Sequence, residues 1–135
     1  MIYAVIDTNV VVSALLSRYP DSATVQVLKS ISRSRICPLY NQEILSEYQD
    51  VLHREKFQFP SEAINSIINL VKEIGISTKR IASSEYFPDP KDIVFYEVAL
   101  SKDGSYLVTG NKKHFPKTPI VVTPAEMLEI LKQHF

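Results

Sequence analysis

The sequence has few of the residues that several common catalytic and binding motifs require. It contains three glycines, too few and too scattered for a P-loop or a glycine-rich dinucleotide-binding motif. Its single cysteine, Cys37, can form neither an internal disulfide nor a cysteine-based zinc site. We interpret Cys37 as a small buried apolar side chain, which is compatible with a reducing compartment.

The sequence also lacks an excess of charge of either sign and any long apolar run. Its 15 basic and 15 acidic side chains balance, so no net field attracts nucleic acid or a membrane from a distance. Any contact with nucleic acid must therefore come from a local basic patch. No apolar run approaches the roughly 18 residues of a membrane span, and the start MIYAVIDTN does not resemble a signal peptide. We expect a cytoplasmic location and no membrane partner.

Apolar periodicity predicts alternating strands and helices within a single domain of residues 1–135. The predicted strands cover 2–6, 36–39, 106–108 and 120–122. The predicted helices cover 10–17, 23–32, a segment capped by Asn41, a segment from Ser61 to a left-handed Gly75, residues 90–101, and a segment after a capping box of Thr123 and Glu126. This alternation is typical of an α/β sandwich with a mostly parallel sheet.

Polar side chains follow the predicted strands at the points where the strands end. Asp7 comes directly after the first strand, and Thr109 and Asn111 follow the strand at 106–108. Asp89 and Asp92 lie where a helix is predicted to begin. Because ligands of such folds bind beyond the carboxyl ends of the strands, this edge is the predicted site.

Each acidic residue also has an ordinary structural explanation. Asp7 could cap the helix that follows it, and Asp92 could simply favour the positive end of a helix capped by Asp89. Helical positions counted from Ile44 put Glu47 at the margin of the buried face. The commonest explanation for a glutamate at such a position is a solvated side chain with no role in a site.

Taken together, Asp7, Glu47 and Asp92 indicate a metal site. Three carboxylates in one place repel one another unless a cation holds them. Oxygen ligands without cysteine or clustered histidine favour Mg²⁺ or Mn²⁺ over zinc. Such an ion supports phosphodiester hydrolysis, because it lowers the pKa of bound water and stabilises charge on a phosphate.

Four segments of the sequence resemble those of a known family. VIDTNVVVSALL, ILSEYQDVLHRE, DPKDIVFYEVAL and YLVTGNKKHFP are similar, in this order, to the signature segments of PIN domains, and most of all to the VapC-like toxins of bacterial toxin–antitoxin pairs. The resemblance implies a three-layer α/β/α sandwich with about five strands in a mostly parallel sheet. It also implies a Mg²⁺- or Mn²⁺-dependent ribonuclease with an RNA substrate, a cognate antitoxin and a homodimeric state.

The resemblance assigns roles to individual residues. It makes Asp7, Glu47 and Asp92 metal ligands, with Glu47 as an alternative base for the attacking water. The family's fourth acid falls on Asn111, so we expect one metal ion, bound weakly.

Two further groups of residues are predicted to support this site. Thr8, Ser13 and Thr109 are candidate hydroxyls that orient the carboxylates. Ordinary capping and turn hydrogen bonds are the alternative, and they explain Ser13 at least as well. Lys112, Lys113 and His114 are candidates for contacts with the RNA backbone, and a solvated loop is the alternative.

Two other functions remain open at this stage. One is a catalytically weakened PIN fold that binds RNA or a protein without cleaving RNA. The other is a phosphotransfer or phosphatase domain, which fits less well, because a haloacid dehalogenase-like enzyme needs an aspartate where this sequence has Asn9.

Overall fold

The computed structural model describes residues 1–135, which form a parallel sheet of five strands and six α-helices. The strands are β1 (Ile2–Ile6), β2 (Ile36–Tyr40), β3 (Ile76–Ser77), β4 (Tyr106–Val108) and β5 (Val121–Val122). The helices are α1 (Thr8–Leu16), α2 (Ala23–Ser32), α3 (Gln42–Leu52), α4 (Ser61–Ile74), α5 (Ile93–Ala99) and α6 (Pro124–His134).

The sheet has the strand order β3-β2-β1-β4-β5, and every neighbouring pair is parallel. Helices cover both of its faces, because parallel strands joined by helical crossovers are buried on both sides. Helix α2 packs against α1, α4 and α6, and α5 packs against β1, β2 and β4. The predicted three-layer α/β/α sandwich is confirmed.

Most of the predicted elements occur within two residues of their expected ends. Asn41 caps α3 by accepting a hydrogen bond from the backbone N–H of Ile44, and Thr123 and Glu126 form the predicted capping box of α6. Strand β3 was not identified in the sequence, because it has only two residues and both are exposed. No helix combines the length and apolar character that crossing a membrane requires.

Helix α4 ends at Gly75 as predicted, but the left-handed conformation predicted for this glycine was wrong. Gly75 ends α4 in an extended conformation, with φ −84° and ψ 179°, and not in the left-handed region. A Cβ atom at this position would lie 2.4 Å from the carbonyl oxygens of both Pro38 and Val71. Glycine is therefore needed because β2 and the end of α4 approach so closely, and not for its conformational freedom.

The helix predicted for residues 90–101 is shorter and begins differently. A 3₁₀ turn at Pro90–Asp92 precedes α5, because Asp89 accepts hydrogen bonds from the backbone N–H of Lys91 and Asp92. The helix ends early, since the N–H of Ser101 bonds to the carbonyl of Val98 three residues before it. The turn leaves Asp92 directly before α5, beside the carboxyl end of the sheet.

Candidate active site

A cleft of about 730 Å³ opens at the carboxyl ends of the central strands, between α1, α3 and the 3₁₀ turn before α5. Four carboxylates line it, those of Asp7, Glu47, Asp89 and Asp92, and we call it the acidic cleft. Of the other residues predicted for the site, Thr8, Ser13 and His114 line the cleft. The remaining four, Thr109, Asn111, Lys112 and Lys113, lie outside its lining.

Asp7 lies at the junction of β1 and α1 and is 7% exposed. It occupies the N-cap position of α1, yet its side chain makes no capping hydrogen bond, which weakens the structural explanation for this residue. Its Oδ2 instead accepts a hydrogen bond of 2.7 Å from the hydroxyl of Thr109, at the end of β4. The Thr109 Oγ1 in turn accepts one of 3.0 Å from the N–H of Asn111. This chain of bonds fixes the Asp7 carboxylate across two neighbouring strands.

The surroundings of Asp7 disfavour its charged form. Burial raises the pKa of Asp7 from 3.8 to about 6, and the negative charges of Asp92 and Glu47 act in the same direction. The hydrogen bond from Thr109 opposes this rise but does not cancel it. The three carboxylates are therefore close enough to affect one another electrostatically.

Asp92 is the second carboxylate whose environment resists ionisation. Burial, followed by the charge of Asp89, raises its pKa, while His114 acts in the opposite direction. The Nδ1 of His114 lies 3.4 Å from Asp92 Oδ2, within ion-pair distance, but the pair lacks the geometry of a hydrogen bond. This buried oxygen has no hydrogen-bond partner within the protein.

Glu47 reaches the acidic cleft from the side of α3. It is half-buried, whereas Glu43 and Asp50 on the same helix are exposed, as the helical positions predicted. The next residue, Tyr48, is buried, and its hydroxyl donates a hydrogen bond to the backbone carbonyl of Ile6. Because Ile6 directly precedes Asp7, this bond fixes Glu47 and Asp7 relative to each other.

Asn111, which the sequence placed in the metal pocket, is not among the residues that line the acidic cleft. Its side-chain amide nitrogen is 3.0 Å from Nε2 of His114, and the other nitrogen of that ring faces Asp92. The turn at Lys112–His114 brings the histidine back over the strand end and places it between Asn111 and the cleft. The side-chain amide of Asn111 therefore contacts His114, which itself lies beside Asp92.

The two predicted lysines differ in their surroundings. Lys112 forms an ion pair of 3.2 Å with Glu126 at the start of α6. Lys113 is exposed and makes no ion pair. Both lie on the turn that carries His114 to the cleft, so they border it without lining it.

The residues of the acidic cleft fit a hard divalent cation that retains several water molecules. The acidic cleft offers carboxylate and hydroxyl oxygen atoms as metal ligands. Two of these atoms, Asp92 Oδ2 and Thr8 Oγ1, are buried without a hydrogen-bond partner. No three histidine, cysteine, aspartate or glutamate side chains form a compact ligand set, so the prediction that Asp7, Glu47 and Asp92 bind one ion together is not confirmed by this arrangement. Mg²⁺ commonly binds through only one or two carboxylates.

The sequence interpretation missed several residues that shape this site. Tyr48 was taken only as part of the apolar face of α3. Asn9 accepts a hydrogen bond of 3.1 Å from the N–H of Gly110 and so ties the ends of β1 and β4 together. Arg54 and Phe57 line the cleft beyond α3, and only the aromatic and basic composition of the loop REKFQF could have indicated them.

Comparison with known proteins agrees with the fold. A family model described as PIN domain matches residues 3–113. The chain is also 30% identical, over 113 residues, to a protein of Schizosaccharomyces pombe named probable nucleolar complex protein 14. That alignment covers 80% of this chain and 13% of the relative, so the chain corresponds to a small part of that protein. On the family match, which extends over most of its length, the chain belongs to the PIN domain family.

Proposed function

We propose that this chain binds RNA at the acidic cleft and hydrolyses its phosphodiester bonds with the help of Mg²⁺ or Mn²⁺. The observation that carries the proposal is the electrostatic coupling of three carboxylates from separate elements: Asp92 and Glu47 both raise the pKa of the buried Asp7. A folded protein keeps such repulsion at a cost in stability, and a bound cation removes that cost.

The residues of the acidic cleft would have different catalytic roles. Asp7, fixed by Thr109, and Asp92, whose Oδ2 accepts no hydrogen bond, would hold the cation, and Glu47 would either bind it or accept a proton from the attacking water. A bound Mg²⁺ or Mn²⁺ would lower the pKa of the water and stabilise negative charge on the phosphate. Thr8 and Ser13 line the same cleft and would orient these groups once the cation is bound.

Positively charged groups at the cleft would contact the phosphates of the RNA backbone. His114 and Lys91 line the cleft itself, and Lys112 and Lys113 border it. Lys112 is partly neutralised by Glu126, so Lys113 is the stronger candidate for a phosphate contact. The balanced overall charge makes such local cations the source of any affinity for RNA.

A second candidate is a PIN domain that binds RNA or a protein without cleaving RNA. Two observations favour it: no compact three-residue metal-binding set is formed, and the S. pombe relative is named as part of a nucleolar complex. Under this reading the chain would work within an assembly of proteins, and its compartment would follow that assembly. Where this module binds RNA, the two candidates differ only in cleavage.

The narrower prediction of a VapC-like toxin adds a cognate antitoxin, a homodimer and a cytoplasmic location. The name of the S. pombe relative lends no support to that role. Co-expression with proteins encoded beside this chain, followed by co-purification, would test for an antitoxin. Light scattering of the purified chain would test for the homodimer.

Cleavage of a panel of RNAs by the purified chain, with and without Mn²⁺, distinguishes the two main candidates. The nuclease proposal predicts products that depend on Mn²⁺ and disappear in Asp92→Asn. Tight RNA binding without products, at any Mn²⁺ concentration, would favour the binding module. Asp103→Asn, which changes an exposed aspartate outside the cleft, serves as the matched control.

A further inference from the structure

One side of the acidic cleft has a different chemistry from the carboxylates. It is formed by Arg54 and Phe57, which follow α3, together with the exposed Leu16 at the end of α1. We call this side the aromatic wall. One cleft therefore presents carboxylates and, beyond them, an apolar ring beside a cation.

Packing of the core does not explain the position of Phe57. Its neighbour in the loop, Phe59, packs against the buried core, but Phe57 belongs neither to the core nor to the residues packed on it. The two rings are stacked, with 5.2 Å between their centroids and planes 8° apart. Phe59 thus supports Phe57 from behind, and Phe57 borders the cleft.

The backbone between the two rings adopts a conformation that is rare for its residue type. Gln58 has a φ of +53°, in the left-handed region that residues other than glycine seldom occupy. Such a conformation persists only where its surroundings hold it, and here it joins the two stacked phenylalanines. The ring of Phe57 is therefore held in place before any ligand arrives.

The cations next to Phe57 are weakly engaged. Arg54 lies 3.4 Å from Asp50 in an exposed i,i+4 pair, with side chains 46% and 74% exposed, and such pairs contribute little to stability. The Lys56 ammonium lies 5.0 Å from the centroid of the Phe57 ring and makes no ion pair. Both cations can therefore turn to a phosphate without losing a strong interaction.

We propose that Phe57 and Arg54 form a nucleobase subsite of the cleft, in which an unpaired base stacks on Phe57 while Arg54 contacts the adjoining phosphate. This inference rests on the proposed binding of RNA in the acidic cleft. The cleft volume of about 730 Å³ falls within the range of pockets that hold small organic ligands. Stacking requires the base to be unpaired, so the subsite selects against double-stranded RNA at this position.

A tryptophan placed at this position can report stacking directly, because the chain contains no tryptophan of its own. We would titrate Phe57→Trp with a short single-stranded RNA in the presence of Ca²⁺, and with an abasic oligomer of the same backbone. The subsite predicts quenching of tryptophan emission by the RNA and not by the abasic oligomer. Tyr86→Trp is the control, since residue 86 is 82% exposed and does not line the cleft.

The affinity of fluorescein-labelled RNA, measured by anisotropy, provides the second readout. Phe57→Leu keeps an apolar side chain and lies outside the core, so the variant should fold normally, which its thermal melt will check. We expect it to bind single-stranded RNA roughly 5- to 150-fold more weakly, and the abasic oligomer as tightly as the wild type does.

The possible failures of this experiment are distinguishable. RNA binding with unchanged affinity in Phe57→Leu and no quenching in Phe57→Trp would overturn the subsite and leave the proposed function intact. Absence of any RNA binding by the wild type would overturn both. An emission shift that depends on protein concentration without RNA would show that a second copy covers the aromatic wall, which also overturns the subsite.

Discussion

The hydroxyl of Tyr48 donates a hydrogen bond to the backbone carbonyl of Ile6, and each of these residues adjoins an acid of the cleft. Glu47 precedes Tyr48 in α3, and Asp7 follows Ile6 at the end of β1. A single buried bond thus joins two elements that each carry a carboxylate. Tyr48 is a positioning residue, because it acts on the site only through its neighbours.

Removing this bond should affect both stability and activity. We expect Tyr48→Phe to lower the free energy of unfolding by about 1 to 2 kcal/mol, because the buried Ile6 carbonyl loses its hydroxyl donor. We also expect a lower kcat for any RNA cleavage with little change in KM, because Glu47 is no longer fixed relative to Asp7. Tyr40→Phe is the matched control, since no hydrogen bond joins its hydroxyl to the site. Equal kinetics in the two variants would show that Tyr48 has only a structural role.

The difference in stability between Asp7→Asn and the wild type should depend on pH in a defined direction. The folded state raises the pKa of Asp7 from 3.8 to about 6, so the folded protein binds this proton more readily than the unfolded chain does. The stabilisation linked to that proton is complete below about pH 4 and is lost as the pH rises through about 6. Without divalent ions at pH 7.5, Asp7→Asn should therefore be more stable than the wild type by about 2 to 3 kcal/mol.

Urea denaturation at pH 7.5 and at pH 4 measures this difference. The two proteins should converge at the lower pH, where Asp7 of the wild type is protonated. Asp103→Asn, a change at an exposed position, should match the wild type at both values. A constant difference between Asp7→Asn and the wild type across this range would contradict the electrostatic account of Asp7.

Divalent ions should stabilise the wild type through the same carboxylates. At pH 7.5, Mn²⁺ at about a hundred times its dissociation constant should raise the free energy of unfolding by about 2.7 kcal/mol. The effect should shrink near pH 5, because protons then compete with the ion for Asp7, and it should be much smaller in Asp7→Asn. Thermal melts at several Mn²⁺ concentrations provide the measurement. An identical increase in both proteins would place the ion elsewhere.

The role assigned to Gly75 can be tested without reference to function. Gly75→Ala puts a Cβ 2.4 Å from two backbone oxygens that cannot easily move, so we expect destabilisation by about 3 kcal/mol. Gly110→Ala is the control, because its Cβ would meet only the side chain of Asn9, at an ordinary contact distance of 3.5 Å. Thermal melts of the two variants should differ widely, and a stable Gly75→Ala protein would mean that β2 and α4 can separate at little cost.

Much of the fold could be predicted because apolar periodicity and capping residues are local signals. Strand β1 is apolar throughout, and the ends of α3 and α6 carry recognisable caps. Gly75 was misread because its constraint comes from Pro38, far away in the sequence. Helix α5 begins later than predicted, because the hydrogen bonds of Asp89 favour a 3₁₀ turn. The sequence signature of this turn is the same as that of an α-helix start.

The site could be predicted only as far as the positions of its backbone. Acids at strand ends and at a helix margin led to the prediction that Asp7, Glu47 and Asp92 bind one metal ion. All three line the acidic cleft, and the shared ion stays a prediction. The partner of each side chain depends on contacts between distant segments. For that reason the pairing of Asn111 with His114 was not foreseen, nor was the stack of Phe57 on Phe59.

Cleavage of single-stranded RNA by the wild type and by Asp92→Asn, followed across a series of Mn²⁺ concentrations, tests the central claim most directly. The account predicts that both proteins bind the RNA, that cleavage by the wild type rises with Mn²⁺, and that Asp92→Asn yields no product. Cleavage that is equally fast in both proteins, or that persists when EDTA removes all divalent ions, would contradict it.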